Sequence, residues 1–173
     1  MTPDETMAHA SDWSPEVDPT GWIITEKVDG FFARWTGAEL LTRYGESFNA
    51  PAWFTRGLPV GVPLDCEVWP GYVGHSAIAN CQAWRDKDRW RTVRLFVFDV
   101  PQAAGSYSKR NAFLQSLGIP RPHIVAQTER CRGADHLLKM LSTVLKKGGE
   151  GLVIRHPDAP YTPGRVRTML KVK

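Results

Sequence analysis

Short β-type runs separated by turn residues constrain this chain more than any other feature. Gly21–Thr25 (GWIIT), Gly30–Trp35 (GFFARW), Leu40–Arg43, Leu64–Trp69 (LDCEVW) and Val93–Val100 (VRLFVFDV) are aromatic or β-branched and bounded by Gly, Pro or Asn. Strands are expected again at Gly151–Arg155 and Val166–Val172. Two stretches carry a helical pattern. Lys109–Leu117 stops at Gly118-Ile119-Pro120, and Gly133–Lys147 puts Leu137, Leu138, Leu141, Val144 and Leu145 on one face before Gly148-Gly149 ends it. Helices so irregularly placed among strands argue against a doubly wound sheet. The expected class is α+β, with mainly antiparallel sheets flanked by helices. Residues 1–19 are acidic, contain proline and lack an apolar period. They are expected to form an N-terminal arm ahead of a domain spanning 20–173.

Composition excludes several classes. With 42% hydrophobic and 23% charged residues in 173, the chain is neither disordered nor collagen-like. No apolar run is long enough to cross a membrane, and no membrane role is expected. The N-terminus has neither a basic nor an apolar leader segment, so no signal peptide is expected. Cys66, Cys81 and Cys131 are odd in number and widely spaced, and the His are scattered. Neither a zinc site nor a disulfide framework is expected, and a reducing, cytoplasmic setting fits. The net charge of +4 is uneven: Arg130 to Lys173 holds ten Lys and Arg against three Asp and Glu. That balance suits a polyanionic partner, or simply a solvated basic surface.

Chemistry concentrates at a few strand ends. Glu26-Lys27-Val28-Asp29-Gly30 places a lysine between carboxylates, just after an apolar strand. A lysine amine becomes a nucleophile once deprotonated; nearby cations favour that and carboxylates oppose it unless a metal neutralises them. Gly30 could let backbone approach a ligand closely. Asp65-Cys66-Glu67 lies inside an apolar strand, Glu150-Gly151 opens another, and Phe96-Val97-Phe98-Asp99 sets aromatics beside a carboxylate. Leu170-Lys171-Val172-Lys173 puts two lysines on one face of a strand. Strand carboxylates facing strand lysines would line a charged cleft suited to a triphosphate with a divalent cation.

In this order, Lys27–Gly30, Asp65–Glu67, Phe96–Pro101, Glu150–Arg155 and Leu170–Lys173 resemble motifs I, III, IIIa, IV and V of the covalent nucleotidyltransferases. Those are the polynucleotide ligases and mRNA-capping guanylyltransferases. TEKVDG, LLTRYGESFNAPAWF, LDCEVW, VRLFVFDVP, GGEGLVIRHPDAPY and LKVK are most similar to compact ATP-dependent DNA ligases of bacteria and phages. The resemblance implies an ATP-grasp-like adenylation domain whose cofactors are ATP and Mg²⁺. Lys27 would take AMP from ATP, pass it to the 5′-phosphate of nicked double-stranded DNA, and allow the 3′-OH to seal the nick. Thr25, Glu26, Glu67, Phe98, Glu150, Lys171 and Lys173 would bind the nucleotide, with Phe98 stacked on adenine. Glu67 and Glu150 would hold Mg²⁺, Asp29 would organise the Lys27 loop, and Lys171 and Lys173 would hold the α-phosphate. Arg43, by its place in Thr42-Arg43-Tyr44-Gly45, would contact DNA, together with Arg34, Arg155, Arg165 and Arg167.

Three departures stand out. The arginine usual in motif I is Phe32, with Arg34 two residues on as the candidate replacement. The motif III glycine is Cys66, expected to be a packing change. The chain stops at motif V, so the OB-fold domain with motif VI is expected to be absent or supplied by a separate chain. A monomer is the default. Trp53 and Phe54 are expected to be packing, and His156 a surface residue. His75 and Cys81 fall in Gly71–Trp84, which has no secure alignment. The rival readings are an RNA ligase or capping enzyme, told apart by nucleotide choice, and a non-catalytic nick- or end-binding module. An NAD-dependent ligase is disfavoured, because its nicotinamide-binding and zinc modules have no counterpart in the sequence.

Overall fold

A computed structural model describes residues 1–73 and 86–173. His75 and Cys81 lie outside the described residues. In chain order the elements are α1 (Pro3–Thr6), β1 (Ala8–Asp12), β2 (Ile23–Lys27), β3 (Phe31–Trp35), β4 (Leu40–Thr42), α2 (Ala52–Thr55) and β5 (Leu64–Trp69). A 3₁₀ helix (Lys87–Thr92) precedes β6 (Arg94–Asp99), α3 (Tyr107–Ser116), β7 (Ile124–Val125), β8 (Glu129–Arg130), α4 (Ala134–Lys146), β9 (Gly151–Arg155) and β10 (Gly164–Val172). The strands form two five-stranded sheets, ordered β1-β10-β9-β2-β8 and β4-β3-β5-β6-β7. Among the described residues the pairings are antiparallel except β1 with β10 and β6 with β7.

Each sheet has its own apolar backing. Leu137, Leu141 and Val144 of α4 pack on Ile24, Leu152, Ile154, Leu170 and Val172 of the first sheet. Leu138 and Leu145, expected on that same face, stay half exposed at its flank. The i, i+4, i+7 stripe is what reaches the sheet. The second sheet buries Trp35, Leu64, Val68, Leu95 and Val97 with Phe54, Trp90 and Leu114. Phe54 and Trp90 meet edge-to-face at 4.5 Å, whereas Trp53 is 40% exposed and lies under Arg91. A third cluster, Val28, Trp69, Phe96 and Ala126, closes the floor between the sheets.

The N-terminal residues differ from expectation. Thr2 and Glu5 form a capping box on α1, and β1 joins the sheet edge by pairing Ala8 with Gly164 and Asp12 with Lys171. AHASD alternates only two small alanines with polar residues and holds no β-branched or aromatic side chain; its partner strand makes it a strand, not its own pattern. Gly30 is needed for packing within the protein: a Cβ there would sit 2.6 Å from the carbonyl oxygen of Val68. Gly151, at φ 155, likewise leaves no room for a Cβ against the Val172 carbonyl. That contact lets β9 start directly beside the end of β10, so Glu150 meets Lys173.

Candidate active site

Lys27 ends β2, and Gly151 opposite it opens β9. This register brings Glu150 to the lysine. Lys27 Nζ donates to Glu150 Oε2, and Lys173 Nζ lies 2.5 Å from Glu150 Oε1. Burial pushes the Glu150 carboxyl up, but the hydrogen bonds from Lys173 and Lys27 outweigh it and hold the carboxyl below its usual value. Lys171 points from the adjoining strand and pairs with Asp12 at 3.3 Å.

Glu150 lines a smaller neighbouring cavity, while Lys27 and Lys171 line a cleft of about 320 Å³ between the sheets, a volume suited to a nucleotide-sized ligand. Its apolar wall includes Met7, Val153 and Met169 with Phe32 and Phe98, whose ring centroids are 6.5 Å apart. Phe98 is braced from within: the Arg155 guanidinium lies 5.5 Å from its ring centroid and 5.0 Å from that of Tyr107. Thr25 is buried, with its hydroxyl donating to Val153 O at 3.2 Å and accepting from Arg155 at 3.0 Å. Glu26 accepts from the Tyr72 hydroxyl at 3.1 Å and borders a smaller cavity of about 100 Å³, which Asp29 also lines.

Glu67 faces the same cleft on β5. Its Oε2 is shielded from solvent and has no hydrogen-bond partner. Burial pushes its carboxyl up to about 8; Lys27 and Arg43 pull the other way, and Glu150 and Asp29 add to the rise. Buried carboxylate oxygens without donors are the ligand chemistry of a hard divalent cation. Among the described residues no group of three or more His, Cys, Asp or Glu could hold a metal by itself.

The Glu67 shift sets a pH dependence. The unfolded chain releases this proton near 4.5, the folded chain near 8, so the group's contribution to stability falls as pH rises through that window. Three pH units within it carry about 4 kcal/mol, and water entry into the open cleft halves this to about 2 kcal/mol. Thermal melts at pH 5 and pH 8 should therefore show Glu67→Gln gaining about 2 kcal/mol on the wild type at the higher pH. Equal pH slopes for the two proteins would remove Glu67 as the cause.

Two expected DNA contacts are placed elsewhere. Arg34 stands opposite Asp65 in the β3–β5 register. Its Nε donates to Asp65 at 2.7 Å, and its other nitrogens donate to Thr6 at 2.5 Å and Tyr161 at 3.0 Å. Tyr161 donates to the second Asp65 oxygen at 2.5 Å. Asp65 and Arg34 thus tie α1 and the β9–β10 connection to the second sheet, and Arg34 does not stand in for the missing arginine at Phe32. Arg155 is buried and acts on Phe98. Arg43, Arg165 and Arg167 are exposed, and the first two line the cleft. Cys66 is fully buried beside the Ala33 carbonyl, and burial pushes its thiol well up, the setting of an inert packing residue. Sequence reasoning passed over Thr6, Arg110 and Tyr161 and read Asp99 only as a carboxylate beside aromatics; the pairings that give these residues their roles are not written in local pattern.

The architecture is that of the nucleotidyltransferase domain of DNA ligases. A Lig E DNA ligase structure superposes with a TM-score of 0.85 at 32% identity, over 96% of this chain and 68% of that one. Chlorella virus DNA ligase–adenylate gives 0.72 at 21%, over 96% and 67%, a likeness of fold alone. A family profile described as ATP dependent DNA ligase domain matches residues 64–173. A DNA ligase of Haemophilus influenzae is 34% identical over 157 residues, 88% of this chain and 58% of that protein. The chain belongs to the ATP-dependent DNA ligase family, and it spans 58% of the length of that relative.

Proposed function

We propose that this chain is the nucleotide-charging domain of an ATP-dependent DNA ligase and that Lys27 carries AMP. The observation that carries the reading is the Lys27–Glu150–Lys173 chain of contacts at the edge of a cleft walled by Phe98. Lys27 Nζ attacks the α-phosphorus of ATP, a phosphoramidate bond forms, pyrophosphate leaves and the amine gives up its proton. Lys173 stays on Glu150, so the carboxylate keeps a cationic partner when Lys27 turns to the phosphate. Lys171 and Lys173 hold charge that develops on the phosphoryl oxygens. Phe98, braced by Arg155, stacks on the base, a contact of roughly 1–3 kcal/mol. Glu67, whose inner oxygen has no donor, would hold Mg²⁺ together with Glu150 once Lys27 has turned away, and the ion would supply neutralisation of phosphate charge.

AMP then passes to the 5′-phosphate of nicked DNA, and the 3′-OH displaces it as the strand is sealed. Arg43, Arg165 and Arg167 meet the DNA backbone, which makes binding strongly salt-dependent. Asp29 organises the loop after Lys27. The reading includes a cytoplasmic monomer and an adenylation unit that takes in β1 at the sheet edge beside β10. Among the described residues no helix is long and apolar enough to cross a membrane. The test is incubation with α-labelled ATP and Mg²⁺, followed by denaturation and peptide mapping. Label on the Lys27 peptide is the expected result. Label on another residue, or labelling by GTP in preference to ATP, overturns it.

A further inference from the structure

The three lysines of the site each sit on a carboxylate, and one of those carboxylates comes from outside the motifs. Lys27 and Lys173 share Glu150, whereas Lys171 pairs with Asp12 of β1 at 3.3 Å. Lys171 lines the cleft and Asp12 does not. The backbone sets up this pair. Ala8, His9 and Ala10 stand opposite Gly164, Arg165 and Val166, a register that would bring Asp12 to Thr168. The register shifts between Ala10 and Ser11, so Arg167, Thr168 and Met169 are passed over and Asp12 faces Lys171. Ser11 Oγ donates to Val166 O at 3.0 Å on one side of the shift, and Trp13 N donates to Lys171 O at 3.0 Å on the other. The segment that supplies Asp12 is acidic: residues 1–19 hold Asp4, Glu5, Asp12, Glu16 and Asp18 and no lysine or arginine.

The side chain of Asp12 is 80% exposed and that of Lys171 31% exposed, so the pair is open to solvent on the carboxylate side. An exposed ion pair of this kind is weak and readily exchanged. A phosphate oxygen in the cleft offers the same ammonium a charge-assisted hydrogen bond. We propose that Asp12 is a positioning residue for nucleotide charging: it holds the Lys171 ammonium at the edge of the empty cleft and is displaced when a nucleotide phosphate takes that ammonium. The inference rests on the ligase reading above and adds to it a counter-ion on the N-terminal strand. Asp12 therefore opposes nucleotide binding, and it gives Lys171 an anion to return to when the phosphate leaves. Its effect passes through Lys171, which is what separates it from the general field of an acidic surface.

Binding of AMP and of adenosine is measured by calorimetry at one fixed salt concentration, on protein freed of covalent AMP with pyrophosphate. The ratio of the two affinities reports what the phosphate adds and cancels any general loss of folded protein. The wild type should prefer AMP. Asp12→Asn should widen that preference about threefold, the scale of an exposed ion pair no longer competing. Asp12→Glu keeps the carboxylate and should stay at the wild-type ratio. Asp12→Asn added to Lys171→Gln should change nothing, because the ammonium it acts on is gone. A wild type without preference, or a ratio unchanged or narrowed in Asp12→Asn, overturns the proposal. So does an equal widening in the Lys171→Gln background, the mark of a general charge effect, or Asp12→Glu behaving as Asp12→Asn does. Labelling of wild-type Lys27 by ATP is followed in parallel. Label with a ratio that Asp12→Asn leaves unchanged removes the role of Asp12 and leaves the ligase reading standing, whereas absence of label strikes at the ligase reading itself.

Discussion

Lys27→Ala should abolish covalent attachment of AMP, a loss on the order of 10³-fold or more in labelling rate, as when a catalytic nucleophile is removed. The protein should still fold. Lys27 sits at the end of β2 with its side chain 29% exposed, so truncation opens no core cavity. Lys171 and Lys173 are not expected to take over: the first pairs with Asp12 at 3.3 Å, the second with the other Glu150 oxygen at 2.5 Å. Lys27→Arg is the informative companion. It keeps a cation beside Glu150 but cannot lose its proton, so it should be equally dead as an acceptor. Scintillation counting after denaturing electrophoresis, with melting curves for each variant, separates lost chemistry from lost fold. Label on Lys27→Ala at more than a few per cent of wild type would move the nucleophile to another residue.

The parts of this molecule legible in the sequence are those that local pattern and motif determine. Leu64–Trp69 and Gly151–Arg155 are strands with the expected bounds, because apolar runs closed by turn residues specify them. Lys27, Glu67, Phe98 and Lys171 line one cleft, and Glu150 and Lys173 adjoin it through the chain of contacts from Lys27. What escaped depends on register. Arg34 is expected from the sequence to replace the motif I arginine and contact DNA, yet the β3–β5 pairing sets it against Asp65. The β2–β9 pairing puts Arg155 on the buried side with Thr25, where it supports Phe98 from below. Asp65 and Glu67 share a strand face, but one is consumed by an internal network and the other is left unpaired. Strand β1 has no signature, and the two-residue strands β7 and β8 are too short to have one. A single sequence carries propensity at each position but not which strand lies beside which.

The largest expected loss of stability comes from a residue with no part in the chemistry. Arg110→Ala should cost about 3–5 kcal/mol, because it strands a buried carboxylate. Arg110 and Asp99 have side chains 3% and 6% exposed. The guanidinium donates to Asp99 twice, at 2.8 and 3.3 Å, and to the carbonyls of Gly105 and Ala159 at 3.1 Å. It also lies over the rings of Tyr107 and Tyr161. One side chain therefore joins α3, the end of β6 and the β9–β10 connection, immediately behind Phe98. At roughly 2–4 °C per kcal/mol for a chain of this size, the melting temperature should fall by about 6–20 °C. Arg110→Lys should recover little, since an ammonium cannot make two parallel bonds to Asp99 and reach both carbonyls. The pairing itself is tested by Asp99→Ala alone and with Arg110→Ala. If the desolvated charge is the penalty, the double variant loses clearly less than the sum of the singles. Strict additivity would instead place the loss in the carbonyl bonds and ring contacts of Arg110.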